Sequence, residues 1–130
     1  MIVRIDYIQL AVPKGCEAMA CESYGTPLGL REIEKTVTLR VRGGCWFQCG
    51  DQQLHIGVES DFRPAKKAHP AFAVTDLAKL RKSLLAHAVK ITDDDSLPGA
   101  RRFTGRLGTV RQTNPRELAF DLGRGSATPT

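Results

Sequence analysis

Apolar and polar positions alternate over residues 5–12, so that Ile8, Leu10 and Val12 fall on one face of an extended chain and Tyr7, Gln9 and Ala11 on the other. A helical stretch over 17–30 follows. Ala18, Met19 and Cys21 are its apolar residues, and Gly25, Pro27 and Gly29 stop it. The same succession returns at 68–76, where Phe72 and Val74 oppose His69, Ala71 and Ala73. Behind it Leu77, Leu80, Leu84 and Leu85 recur at helical spacing over 77–88, with Thr75 or Asp76 as the cap. Short strand-like runs follow each helix. After the first they cover 31–35, 37–41, 45–49 and 53–59, the last entered through a Gly50-Asp51 turn. After the second they cover 89–92, 101–106 and 116–122, with Asp93-Asp94-Asp95 as a solvated acidic turn. The pattern is a βαβββ unit written twice, joined by a polar linker that carries Pro64. It predicts one domain over residues 1–122, with modules at about 1–60 and 68–122, and a frayed polar tail over 123–130.

Composition narrows the function classes. A chain of 130 residues can bury a core without disulfides or a structural metal. No apolar run approaches the ~20 residues of a membrane span, and Met1-Ile2-Val3-Arg4 leads straight into a strand with no signal-peptide pattern, so a cytoplasmic protein is expected. The net charge of +5 invites a nucleic-acid partner, yet the Lys and Arg residues are scattered and no aromatic platform is interleaved with them, which argues against one. Cys16, Cys21, Cys45 and Cys49 lack the CxxC spacing of a zinc knuckle and read as reduced, buried thiols, with Cys45, Phe47 and Cys49 on one strand face.

The chemistry concentrates in Tyr7, His55, His69 and Glu117. Each is the polar member of an apolar neighbourhood, on the non-core face of a different predicted strand. If those strands border one cleft, two imidazoles and a carboxylate converge, a donor set that suits Zn, Ni, Mn or Fe and leaves coordination positions open. The alternatives are a hydrogen-bonded histidine on each strand and a Glu117 paired with Arg116 or Arg102. His87, at a helix end, needs no more than a contact with the helix dipole.

The segments Ile5-Asp6-Tyr7-Ile8-Gln9-Leu10-Ala11-Val12-Pro13, Leu28-Gly29-Leu30, Leu54-His55-Ile56, Ala68-His69-Pro70-Ala71-Phe72 and Asn114-Pro115-Arg116-Glu117-Leu118 together resemble the glyoxalase, bleomycin-resistance and extradiol-dioxygenase superfamily, also called vicinal oxygen chelate. The resemblance runs from about Ile5 to Leu122. It implies an α+β fold in which two βαβββ modules form a curled mixed sheet, a cup with the helices on its outer face, usually completed in a homodimer. It also implies a divalent metal held by one residue from each of four strands, and these positions fall on Tyr7, His55, His69 and Glu117.

Tyr7 stands where the family commonly has His. A neutral phenol is a poor ligand at neutral pH, so His55, His69 and Glu117 remain as the metal donors. A second departure is Val110-Arg111-Gln112-Thr113-Asn114 in place of the family's usual turn before the last Glu. Two functions follow from the resemblance. One is a metal-dependent lyase or isomerase for a small oxygen-rich substrate, with Glu117 and Tyr7 catalytic and Gln9, Trp46 and Arg102 lining the cleft. The other is a metal-free protein of the same fold that binds a small molecule or sequesters an antibiotic.

Overall fold

The computed structural model describes residues 1–94 and 101–113. The chain divides into two compact units, Met1–Ala65 and Lys66–Thr130. The first contains strand β1 (Tyr7–Pro13), helix α1 (Glu17–Gly25), β2 (Arg31–Ile33), the single-turn α2 (Val37–Arg40), β3 (Cys45–Cys49) and β4 (Gln52–Glu59). The second contains β5 (Ala71–Val74), α3 (Leu77–Ala86), β6 (Ile91–Asp93), β7 (Arg102–Gly105) and β8 (Gly108–Gln112). The first sheet runs β1-β4-β3-β2 and the second β5-β8-β7-β6. In each, the first and fourth strands of the module pair in parallel and the remaining neighbours are antiparallel. The predicted α+β repeat of βαβββ modules is present, although not every predicted strand is where the sequence pattern put it. No helix among the described residues is long and apolar enough to cross a membrane.

Each sheet buries one face against its own helix. In the first unit the register Cys45↔Ile56 and Phe47↔Leu54 places four buried residues on one side of β3 and β4. Helix α1 covers that side, where Tyr24 is buried and a side chain at Gly25 would meet the Phe47 ring at 3.3 Å. In the second unit Phe103 faces Val110 across β7 and β8, and these two pack with Leu77, Leu84 and Val89 in the core. Asp76 caps α3 by accepting a hydrogen bond from the Lys79 backbone N–H at 3.0 Å. Gln112 at the end of β8 ties the same helix start, accepting from Leu77 N–H at 2.9 Å and donating to the Thr75 carbonyl at 2.6 Å.

Several elements differ from the sequence pattern. Residues 37–41 are not a strand: Leu39 N–H and Arg40 N–H both turn back to the Thr36 carbonyl, at 3.0 and 3.2 Å. The alternation of Val37, Leu39 and Val41 had suggested one apolar strand face, but in a turn of helix those positions splay, and Val37 and Val41 stay exposed. Helix α1 ends at Gly25, the first of the residues expected to stop it, and the helical stretch does not continue to residue 30. The strand expected from residue 68 begins at Ala71, because Pro70 has no N–H to contribute to a ladder and offers only its carbonyl, which accepts from Thr109 N–H at 2.9 Å. Asp93 closes β6 and pairs with Arg81, while Asp94 pairs with Arg102 at 2.9 Å, so these two acids are not a bare solvated turn.

The largest difference lies at the end of the second module. Gly105 pairs with Gly108 across the two-residue connection Arg106-Leu107, and the chain folds back as β8 over Gly108–Gln112. Gly108, at φ +129°, is required there, since a Cβ would sit 2.4 Å from the Pro70 carbonyl oxygen. Residues expected to form a loop are thus the fourth strand of the module. The strand predicted over 116–122 lies outside the described residues.

Gly44 is the corresponding close approach in the first unit, with φ +82° and an added Cβ only 2.0 Å from the Ile56 carbonyl oxygen. Gly44→Ala should therefore lose more than the ~1–3 kcal/mol of a strained backbone alone. Urea unfolding of the variant against Gly15→Ala, also at positive φ but with open space around it, measures the difference.

A candidate site on the open face of the first sheet

The face of the first sheet that α1 does not cover carries Tyr7, Gln9, Trp46, Gln53 and His55. Strand alternation and register put them there: Gln9 lies opposite His55 in the parallel β1–β4 pair, and Trp46 lies opposite His55 in the antiparallel β3–β4 pair. Tyr7 and Gln53 are two residues away from that row on β1 and β4, hence on the same side. The three rings form one stack. Tyr7 and His55 centroids are 4.2 Å apart at an interplanar angle of 12°, and Trp46 and His55 are 4.2 Å apart at 8°. His55 is only 5% exposed, while Tyr7 is 51% exposed. Gln9 also has a defined place: its amide lies within 2.6 Å of where a Gly57 Cβ would be, so the glycine makes the room it occupies.

The stack fixes the protonation of His55. Burial is the largest cause lowering its pKa from the ordinary 6.5; Asp6 opposes the shift and Lys35 reinforces it. The imidazole is therefore neutral at pH 7. Its Nε2 lies 2.9 Å from Gln53 Oε1. A carboxamide oxygen only accepts, so Nε2 carries the hydrogen and Nδ1 the lone pair. Lys35 is itself anchored, donating to the Gly43 carbonyl. Alternation in the sequence puts Gln53 and Gly57 on the face of His55, but neither was counted as a site residue. Their i ± 2 spacing from His55 was the available signal.

The other expected site residues belong to the second unit. His69 precedes β5 and is exposed, with Nδ1 2.7 Å from the Lys67 carbonyl oxygen. Arg102 is on β7, paired with Asp94 beside a cavity of about 320 Å³ that Arg81, Asp93 and Arg101 also line. Glu117 lies outside the described residues. His87 is the C-cap of α3, with Nδ1 2.8 Å from the Ser83 carbonyl oxygen.

The cysteines differ from expectation. Cys21 of α1 and Cys45 of β3 form a disulfide, leaving Cys16 exposed and Cys49 half-buried as free thiols. Nothing in their spacing of 24 residues announces the pairing; only the packing of α1 on β3 brings them together. Burial, and then the charge of Asp51, raise the Cys49 pKa above its ordinary value.

The fold is shared with solved structures. A glyoxalase family protein from Bacillus anthracis is 42% identical over 86% of this chain and 94% of its own, with a TM-score of 0.77. The chain belongs to the glyoxalase family. A member of the glyoxalase/bleomycin resistance/dioxygenase superfamily from Sphaerobacter thermophilus shares the fold at 15% identity, with a TM-score of 0.65 over 86% of this chain and 98% of its own. So does a variant of the fosfomycin resistance protein FosX from Listeria monocytogenes, complexed with Mn(II) and 1S,2S-dihydroxypropylphosphonic acid, at 13% identity and a TM-score of 0.60 over 92% of this chain and 99% of its own. No protein-family model matches the chain, and no curated relative does.

The lowered pKa of His55 has a consequence for stability. The unfolded chain takes up this proton near pH 6.5 and the folded chain only at lower pH, so the contribution is complete above about 6.5 and is lost as pH falls through the folded value. Melting temperature should therefore drop between pH 7 and 5, and less steeply in His55→Gln. Parallel slopes in the two proteins would contradict a buried, neutral His55.

Proposed function

We propose that this glyoxalase-family protein is a divalent-metal-dependent enzyme, a lyase or isomerase for a small oxygen-rich substrate. In this reading His55 Nδ1 is one metal donor, with His69 and Glu117 as the others. The observation that carries it is the Nε2–H···Oε1 bond from His55 to Gln53. Histidines that ligate metals characteristically donate their other N–H to a fixed oxygen, which sets the tautomer and leaves a lone pair for the ion. Neutrality at pH 7 meets the second requirement, since a protonated imidazole cannot ligate. When bound, the ion would withdraw electron density from substrate oxygens and ease removal of a neighbouring proton. The Tyr7 phenol and the Glu117 carboxylate would hold or move that proton, Gln9 would hydrogen-bond the substrate, Trp46 would fix the imidazole plane, and Arg102 would serve substrate oxygens. The same reading includes a cytoplasmic location and a homodimer, the latter supported by the apolar side chains exposed ahead of and on β1, among them Ile5 at 57% and Ile8 at 43%.

One observation favours a metal-free binding protein instead. Tyr7 occupies the position that resembles a first-strand ligand, and its half-exposed ring, already stacked on His55, offers a platform for a flat ligand.

Calorimetric titration separates the two readings. Mn(II) is the first ion to use, because the Listeria protein of this fold carries it; Zn(II) and Ni(II) follow. Chelator-treated wild type, kept oxidised, should bind one ion per chain, and His55→Ala, His69→Ala and Glu117→Ala should each weaken binding about tenfold or more. Tyr7→His should tighten it by adding a fourth donor. No uptake by wild type, or equal binding by the three alanine variants, would leave the metal-free reading as the better account.

A further inference from the structure

On the helix-covered side of the first sheet, opposite the ring stack, a second cluster of donors stands apart from the proposed site. Cys21 of α1, Glu32 of β2 and Cys45 of β3 each bring one donor atom, all within 4.8 Å of one another. Register explains the arrangement. Glu32 pairs with Phe47, and Cys45 is two residues before Phe47 on the same strand, so both side chains emerge on the Phe47 side. Cys45 is 5% exposed, whereas Glu32, on the end strand of the sheet, is exposed. The two cysteine Cα atoms are 6.1 Å apart and the sulfurs are bonded. Among the described residues no cation pairs with the Glu32 carboxylate.

We propose that Cys21, Cys45 and Glu32 form a redox-gated site for a thiophilic divalent cation such as Zn(II): closed while the cysteines are a disulfide, open once they are thiols. Two thiolates and a carboxylate are a competent zinc donor set, and solvent access past Glu32 leaves a fourth position for water. Opening requires a small thiol as reductant. Its thiolate attacks one sulfur, the Cys21–Cys45 bond breaks, and a second thiolate displaces the protein from the mixed disulfide. Two small thiols thereby become one disulfide, and their two electrons and two protons end on the Cys21 and Cys45 sulfurs. Binding then releases both thiol protons to solvent as the ion takes their place. Either cross-link, S–S or S–metal–S, joins α1 to the strand that carries Trp46. Only the reduced, metal-free state lacks that tie.

The test uses the full chain with Cys16→Ser and Cys49→Ser, so that only the paired cysteines remain, and Co(II) as the probe. Thiolate ligation gives an intense near-ultraviolet charge-transfer band that imidazole and carboxylate ligands do not, so the readout is independent of the His55 site. Protein reduced with a phosphine, which takes oxygen from water as it converts the disulfide to two thiols, should bind one Co(II) per chain with this band, and Zn(II) should abolish it. Oxidised protein should show no band. Glu32→Gln should keep the band but weaken binding about tenfold or more, and Cys21→Ser should lose the thiolate pair. In a parallel measurement on the reduced parent, Zn(II) should slow alkylation of Cys21 and Cys45 as read by mass spectrometry. The absence of a band in the reduced parent, alkylation unaffected by Zn(II), or a full band in folded Cys21→Ser would each overturn the proposal.

Discussion

The parallel pairing of β1 with β4 is the constraint on which the candidate site depends. Its register, Tyr7↔Gln53 through Pro13↔Glu59, decides which side chains of the first strand share a face with His55. A slip of one residue would carry Tyr7 and Gln9 to the helix side and bring Ile8 and Leu10 to the ring stack. The register is held from the other side of the sheet. Leu54 and Ile56, at 3% and 1% exposure, cannot leave the core beneath α1, and their burial forces His55 to the opposite face. The apolar positions of β4 therefore place the polar ones.

A histidine in such a position is usually explained by hydrogen bonding alone. Here two aromatic faces close on it as well, each pair contributing roughly 0.5–1.5 kcal/mol beyond simple burial. The stack removes water from both faces of the imidazole, and desolvation outweighs the attraction of Asp6 in setting its charge. What remains is an oriented neutral base with one nitrogen committed to Gln53 and a lone pair on the other. That combination is the chemical content of the site, and it arises wholly within one βαβββ unit.

Much of this was legible in the chain. Alternation along 7–12 and 53–59 was enough to place Tyr7, Gln9 and His55 off the core face, because strand period is fixed by backbone geometry and both strands are long. The short elements were not legible. In 37–41 a five-residue alternation fits a helical turn as well as a strand, and in 68–71 the apolar pattern ran through Pro70 although the ladder could not. Gly108–Gln112 was hidden for a different reason: its partner is fixed by contact of Gly108 with the Pro70 carbonyl, a pairing 38 positions away in the chain that no local pattern encodes. His69 drew attention through its neighbours in sequence, yet it sits before the strand and not on it.

The disulfide shows how tertiary packing can overrule a sound compositional argument. Four cysteines without knuckle spacing in a chain large enough to fold unaided read as thiols, and Cys16 and Cys49 are. The other two meet because α1 must cover Phe47 and Ile56, which brings its middle turn over the start of β3. Closing a loop of this length stabilises a fold by about 3 kcal/mol in the chain-entropy account. That is at the upper end of the ~1–3 kcal/mol that the two ring pairs on the other face add beyond burial. The same strand carries both features at adjacent positions, Cys45 toward the helix and Trp46 toward the imidazole. Whatever ties or frees Cys45 therefore acts on the β3 backbone one residue from a wall of the candidate site.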